Sequence, residues 1–449
     1  MAITIPFNGA MMITSHKTTL ANGLRLVTVE MPHLHSAEIA IYIKVGGRHD
    51  SRDRAGLAHF LEHMFFRGTE EHATTLELER AFEALGGSVN AATDAESTCY
   101  YTRLHPDHVA EGLRLLGVML LKPTFQGIDI EKRIITEEAL EDLNEKGEEI
   151  NADNLASRLL WPDHPLGMPT IGYLEAINAF TVDDLRRHMD CYYVPENALV
   201  VVAGRVGARQ VETACAEAFG SWAGGRAPQQ LPAPAVQTAP QSVFVKDSDS
   251  QVVLQLAFRG PSRFDSGVMA TRLLRRVLCG GGSSRLHLLL REKLGIVYSV
   301  DANLATYDET GCFAIELSTA RENLVLAVTE LLRETLRVAT EPFPEDELRK
   351  VRDSYLFDLE YSKDSTFDMQ ARYGWGALME QERTIEEDQE AAHAVTSDDI
   401  REAARSLFAP GNLNLVAVGP WQAAARRQVE RLLANYVRDY ARLFGEEAQ

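Results

Sequence analysis

The chain repeats part of itself, and this duplication constrains its fold more than any other feature of the sequence. Residues 181–204 (TVDDLRRHMDCYYVPENALVVVAG) align without a gap with residues 396–419 (TSDDIREAARSLFAPGNLNLVAVG), at an offset of 412 − 197 = 215. Each copy has a threonine with an aspartate three residues later, then a helical pattern, a proline, and an apolar run that ends at glycine. These signals predict a capped helix that stops before the proline and a strand buried on both faces. Two related domains are therefore expected.

The join between the two copies has the composition of a linker. Residues 224–242, GGRAPQQLPAPAVQTAPQS, contain four prolines and almost no large apolar residue. We therefore expect an N-terminal domain at 1–223 and a C-terminal domain at 243–449. Each half combines strands, such as IAIYIKV at 39–45 and VVLQLAF at 252–258, with long amphipathic helices. This mixture predicts an α+β fold in which helices cover one face of a largely antiparallel sheet.

The net charge and the number and spacing of cysteines indicate which partners and which cellular compartment are compatible with the sequence. The chain has 45 basic and 65 acidic residues and a formal charge of −20, which argues against a nucleic-acid partner. The same charge serves solubility, or an acidic chamber that attracts cationic peptides. Five scattered cysteines without a CxxC motif favour a reducing compartment. In residues 1–17 the first basic residue follows the apolar stretch, the reverse of a secretory signal, so we expect an unprocessed cytoplasmic start.

The residues that carry chemistry lie in the segment 56–69, GLAHFLEHMFFRGT. Within it, His59 and His63 are four residues apart and share one face of a helix, so both imidazoles reach one ion. Imidazole suits zinc, and a catalytic zinc site keeps one position open for water. Glu62 lies beside them as a general base rather than a ligand. The spacing is the HxxEH motif, and the alternative is two surface histidines on an amphipathic helix.

A third ligand is expected from residues 128–146, IDIEKRIITEEALEDLNEK, a helical pattern rich in acids. Glu131 and Glu138 are seven residues apart and share a helix face. Glu138 is the candidate ligand, and Glu131 is the candidate that orients another ligand. Glu137 is the local competitor, and without the two histidines a solvated helix face would be the preferred interpretation.

At these residues the chain resembles the pitrilysin (M16) family of metallopeptidases, which are inverzincins, and especially the branch that includes the mitochondrial processing peptidase. The segment 56–69 is similar to the family's zinc helix. The family's third ligand is a glutamate about 75 residues beyond the second histidine, which implies Glu138 (138 − 63 = 75) rather than Glu137. A second glutamate seven residues earlier corresponds to Glu131. The resemblance covers nearly the whole chain.

Two further segments resemble the family's substrate-binding parts. In residues 86–104 the resemblance implies that Asn90 and Ala91 hold the peptide backbone by β-augmentation, whereas an ordinary edge strand is the alternative. In residues 278–300 it implies that Arg291 and Tyr298 close over the substrate, binding a carbonyl and steadying the oxyanion. A surface arginine and a half-buried tyrosine are the alternatives. The second half has no HxxEH, so one zinc per chain is expected.

The resemblance implies a zinc endopeptidase that hydrolyses peptides or unfolded segments inside an enclosed chamber. Two chains would form a clamshell, with Arg291 and Tyr298 acting on the partner's zinc site. A homodimer is sufficient, and a heterodimer with an M16 relative is the alternative. A non-catalytic scaffold subunit is disfavoured because the HxxEH residues and Glu138 are all present. A protease that matures one specific peptide remains as a second alternative to general peptide clearance.

Overall fold

The computed structural model describes residues 13–234 and 237–445. Residues 1–12, which carry most of the expected unprocessed start, lie outside the described residues, as do two residues of the expected linker. All five cysteines are free, as the scattered spacing predicts. Among the described residues, no helix combines the length and the apolar character that a membrane crossing requires.

The described residues form eleven strands and fifteen α-helices. The strands are β1 Thr14–Thr19, β2 Arg25–Glu30, β3 Ala37–Ile43, β4 Val89–Thr93, β5 Thr98–Leu104, β6 Ala198–Gly204, β7 Gln241–Lys246, β8 Val252–Gly260, β9 Val297–Thr306, β10 Gly311–Thr319 and β11 Leu413–Gly419. The helices are α1 Leu57–Phe65, α2 Thr75–Glu83, α3 Val109–Leu121, α4 Ile128–Leu140, α5 Ala152–Leu160, α6 Leu174–Ala179, α7 Val182–Tyr192, α8 Ala208–Phe219, α9 Val268–Cys279, α10 Leu324–Thr340, α11 Glu345–Ser362, α12 Thr366–Leu378, α13 Ile385–Ala394, α14 Ser397–Leu407 and α15 Ala423–Phe444.

The two sheets repeat one topology. The first has the order β1-β2-β6-β3-β5-β4 and the second has the order β7-β11-β8-β10-β9. Without β1, the five remaining strands of the first sheet correspond in this order to the five strands of the second: β2 to β7, β6 to β11, β3 to β8, β5 to β10 and β4 to β9. The pairs β2–β6 and β7–β11 are parallel, and every other described pair is antiparallel. The expected duplication and the α+β class with a largely antiparallel sheet are therefore confirmed.

The duplicated segment repeats its local interactions as well. A threonine Oγ1 accepts the backbone N–H of the aspartate three residues later at 3.2 Å in both copies, Thr181–Asp184 and Thr396–Asp399. Both apolar runs form fully buried strands, β6 and β11. These strands end at Gly204 and Gly419, which have φ of +139° and +130°. A Cβ at either glycine would lie 2.4 Å from a backbone carbonyl oxygen, so only glycine fits.

The two compact units of the structure do not coincide with the two halves of the sequence that the linker separates. Contacts group the residues up to Thr136 with Thr170–Gln230 and Leu359–Arg383, and the remaining residues form a second unit. Helix α5 packs on β8 and β11, and α12 packs on β3 and β6. The two helices are equivalent by the duplication, since 152 + 215 = 367 lies at the start of α12. Each half thus gives the corresponding helix to the other half's sheet, so the compact units are not continuous in sequence, unlike the expected domains at 1–223 and 243–449.

This exchange also corrects the expected one-sided cover of the sheets. A Cβ at Gly374 of α12 would lie 2.6 Å from Val201 Cγ1 and 2.8 Å from Tyr42 Cε2, so α12 rests directly on one face of the first sheet. On the opposite face, a Cβ at Gly112 of α3 would lie 2.9 Å from Ile39 Cδ1. Every residue of β3 and β6 is buried because helices cover both faces. Helical periodicity reveals an apolar face but not the sheet that it covers.

Candidate metal centre

Helix α1, which carries the HxxEH motif, is fixed at its N-terminus by a buried carboxylate. Asp50 Oδ2 accepts the backbone N–H groups of Gly56 at 3.1 Å and Ala58 at 3.2 Å, where the helix dipole favours negative charge. Burial raises the pKa of Asp50 to about 7, although the backbone N–H donors of α1 act in the opposite direction. The apolar face of α1 is buried, with Leu57, Phe60, Leu61, Met64 and Phe65. The cap and this packing set the direction in which the motif faces.

The two histidines of α1 come together with a glutamate of α4. One ligand atom each from His59, His63 and Glu138 lies within 4.8 Å of the others, and Glu137 is not part of this group. Burial and the neighbouring His63 lower the pKa of His59 to about 3, so its imidazole is neutral at neutral pH, the form that binds metals. In a tetrahedral zinc site, ligand atoms lie about 3.4 Å apart. The three ligand atoms are thus close enough to hold one ion after a small adjustment of their side chains.

Glu131 sets the orientation of one histidine. Its buried carboxylate lies on α4, and Oε1 accepts a hydrogen bond from His63 Nδ1 at 2.8 Å. Because an ionised carboxylate only accepts, His63 carries its proton on Nδ1 and presents Nε2 to a metal. Arg67 Nε lies 3.3 Å from Glu131 Oε2 and holds the other oxygen. Arg67 was not singled out by the sequence, since nothing in its spacing distinguishes it from a surface arginine.

Glu62 lies between the two histidines in sequence but outside the metal-binding group. Its side chain is buried, and its Oε2 accepts a hydrogen bond from the Thr93 hydroxyl. Thr93 is the last residue of β4. Thr93 was not among the residues predicted from the sequence, and the one signal that distinguishes it there is its position three residues after Asn90.

The predicted peptide-binding residues lie on an edge strand. Asn90 and Ala91 belong to β4, an edge strand of the first sheet, where they pair with Tyr101 and Tyr100 of β5. Asn90 is exposed. An edge strand of this kind offers main-chain groups to an added extended peptide.

Arg291 and Tyr298 are neighbours in the second unit, whereas α1 belongs to the first. Arg291 lies in a π-helical segment, His287–Lys293, and its guanidinium is 5.5 Å from the centroid of the Tyr298 ring. Its Nη1 is 2.9 Å from His287 Nε2. Tyr298 is 83% exposed, which rules out the alternative of a half-buried packing residue. The guanidinium also lies near a carboxylate, with Nε 3.7 Å from Glu292 Oε1, so the cation–π pair with the exposed tyrosine ring is part of a small polar surface cluster.

A duplicated α+β fold with one HxxEH helix is a known class of protein, and the comparisons place the chain in it. Residues 25–172 match the family model described as "Insulinase (Peptidase family M16)". Residues 179–355 match the model described as "Peptidase M16 inactive domain". The chain belongs to peptidase family M16.

Relatives in bacteria are named zinc proteases. The chain is 30% identical over 394 residues to the "Uncharacterized zinc protease YmxG" of Bacillus subtilis, covering 87% of this chain and 95% of the relative. It is 30% identical over 417 residues to an uncharacterized zinc protease of Streptomyces coelicolor, covering 91% and 90%. A Helicobacter pylori protease structure, 21% identical, superposes with a TM-score of 0.84 and covers 91% of this chain and 100% of its own. This last likeness shows a shared fold.

Proposed function

We propose that the protein is a zinc-dependent endopeptidase that hydrolyses peptides or unfolded segments of polypeptides. The observation that carries this proposal is the group formed by His59, His63 and Glu138, with the buried residue Glu62 next to His63 in the same helix. Three ligands and one adjacent carboxylate are the set that a catalytic zinc site requires. The second half has no HxxEH motif, so one zinc per chain is proposed.

Each residue of this site has a role that follows from its surroundings. A zinc ion held there supplies Lewis acidity, which polarises the scissile carbonyl and makes water a better nucleophile. Glu62 accepts the proton of the attacking water and passes it to the leaving amine. Glu131 keeps His63 in the tautomer that presents Nε2. Burial keeps His59 neutral, so it needs no deprotonation before it binds the ion.

The substrate is proposed to lie along the edge strand β4. An extended peptide beside Asn90 and Ala91 forms main-chain hydrogen bonds that do not depend on its side chains. Such binding suits an endopeptidase that acts on unfolded segments, since a folded protein does not present a free strand.

We further propose that two chains form an enclosing clamshell, in which Arg291 and Tyr298 of one chain act at the zinc site of the other. An exposed guanidinium and phenol side by side offer a fork for a carbonyl and a hydroxyl for the oxyanion. A homodimer contains both half-sites, and a heterodimer with another M16 chain would serve equally.

The free cysteines support a cytoplasmic location.

The test separates ligands from base. Purified Glu138→Gln and His59→Ala should lose zinc by elemental analysis, whereas Glu137→Gln, an exposed acid one position away, should keep about one ion per chain. Glu62→Gln should keep zinc and lose hydrolysis of a fluorogenic peptide by several orders of magnitude, about 10³-fold or more. Wild-type turnover by Glu62→Gln would refute the mechanism. Absence of zinc from the reconstituted wild type would favour the scaffold alternative.

A further inference from the structure

The general base is connected to the peptide-binding strand by one hydroxyl group. Thr93 Oγ1 is hydrogen-bonded to Glu62 Oε2 and lies 3.3 Å from Thr98 Oγ1. The Thr98 hydroxyl donates to Val45 O at 2.8 Å. Since a carbonyl oxygen only accepts, the Thr98 proton is committed to it, and the Thr93 proton is directed to the Glu62 carboxylate.

We propose that Thr93 is a positioning residue for catalysis, which holds the carboxylate of Glu62 at the angle that proton transfer requires. The inference rests on the proposed role of Glu62 as the base. A hydroxyl donating to a carboxylate forms a short, charge-assisted hydrogen bond. Glutamate has three rotatable side-chain bonds, and a bond to Oε2 fixes the direction in which Oε1 faces. Proton transfer is sensitive to this placement because a small misalignment is costly.

The position of Thr93 also links the base to the substrate. Thr93 is the C-terminal residue of β4, and Asn90 and Ala91 precede it on the same strand. A peptide that pairs with β4 therefore takes its register from the strand whose last side chain orients Glu62. The distance between the bound peptide and the base is set within one segment of five residues.

The turn after Thr93 is held firmly, which makes the strand end a stable support. Gly47 N donates to Asp94 O at 3.0 Å. The buried Arg48 guanidinium pairs with the buried Glu96 carboxylate at 2.5 Å. A Cβ at Gly46 would lie 2.1 Å from Asp94 O, so the two backbones are in direct contact. Thr93 is thus attached to a turn that cannot shift without breaking a buried ion pair.

The experiment compares Thr93→Val with Thr93→Ser in the full-length protein. Valine keeps the shape and strand preference of threonine and removes the hydroxyl, whereas serine keeps the hydroxyl. We expect Thr93→Val to lower kcat about 10- to 100-fold with KM within about twofold of wild type, because Glu62 loses its alignment for proton transfer while the contacts of the bound substrate are kept. Zinc content should stay unchanged. Thr93→Ser should recover most of kcat.

The matched control is Thr102→Val on the neighbouring strand β5. The Thr102 hydroxyl is buried and makes no hydrogen bond among the described residues, so its removal should leave kcat and KM unchanged.

The outcomes separate this inference from the proposed function. If Thr93→Val has wild-type kcat while Glu62→Gln is inactive, the positioning role is refuted and the base remains. A rise in KM alone would also refute it, because it would assign Thr93 to substrate binding. If Glu62→Gln is active, the proposed mechanism fails, whatever Thr93 does. Should Thr93→Val not fold, Thr93→Ala replaces it, and equal loss in Thr93→Ala and Thr93→Ser would overturn the inference.

Discussion

Replacing Glu131 with glutamine tests how strongly the carboxylate behind His63 supports metal binding. Glutamine has nearly the same shape and can still accept from His63 Nδ1, but it carries no charge. Glu131 is 4% exposed and its Oε1 lies 2.8 Å from His63 Nδ1. Water therefore cannot replace the lost charge, and the full change is felt at the histidine.

The expected magnitude follows from this geometry. A hydrogen bond to a charged group contributes about 1.5–3 kcal/mol, and a neutral one contributes about 0.5–1.5 kcal/mol. The difference of about 1–2 kcal/mol corresponds to a roughly 5- to 30-fold weaker zinc affinity. Loss of the negative charge near a divalent ion adds to this, so we expect about 10- to 100-fold, the usual range for such a partner.

Competition with a chromogenic chelator at neutral pH measures the zinc dissociation constant directly. Far-ultraviolet circular dichroism of each variant checks that the fold is kept. Asp129→Asn is the matched control, because Asp129 is exposed in the first turn of the same helix α4. It removes the same charge without touching His63. Unchanged affinity in Glu131→Gln, or an equal loss in Asp129→Asn, would refute the reasoning.

Three further predictions concern assembly, substrate shape and pH. Mixing Glu62→Gln with the double variant Arg291→Ala, Tyr298→Phe should restore about a quarter of wild-type activity if chains exchange at random, because each mixed dimer holds one intact site. If native mass spectrometry shows mixed dimers but no activity returns, the site is not shared between chains. Unstructured peptides of tens of residues should be cleaved while a stable folded protein resists, as mass spectrometry of the products would show, and rapid digestion of the folded protein would disprove the chamber. Burial, with smaller effects of His49 and Arg54, lowers the pKa of His188 to about 3. Between pH of about 6.5 and about 3 the unfolded chain therefore binds a proton that the folded chain does not. As the pH is lowered through this range, the free energy of unfolding should decrease by up to about 1.4 kcal/mol per pH unit. In urea titrations, His188→Gln should flatten this part of the profile, and an unchanged profile would count against the assignment.

The sequence predicted the parts of the fold that depend on local chemistry. The capping threonines Thr181 and Thr396, the stop before proline and the buried apolar strands all result from interactions within a few residues. A spacing of four residues places His59 and His63 on one face of a helix, whereas Glu138 was preferred to Glu137 only through the family resemblance; the structure brings these three side chains together.

Contacts between distant segments left no comparable signal. The exchange of α5 and α12 depends on which sheet each amphipathic helix meets, and helical periodicity does not encode that choice. The cap that Asp50 provides to α1 joins residues eight positions apart through a loop. Thr93 reaches Glu62 across 31 positions, and a threonine at the end of a strand is ordinary in sequence. These interactions become visible only once the chain is folded.

The exchanged helices have a consequence for synthesis. Strand β6 is the last strand of the first sheet to be synthesised, and it is complete at Gly204. Helix α12, which covers one face of that sheet, begins only at Thr366. While the ribosome adds the intervening residues, 205–365 (365 − 204 = 161), the face that carries Tyr42 and Val201 has no cover from α12. A nascent chain in this state exposes apolar surface and offers a binding site to chaperones. The first sheet therefore reaches its final packing only when most of the polypeptide has been made.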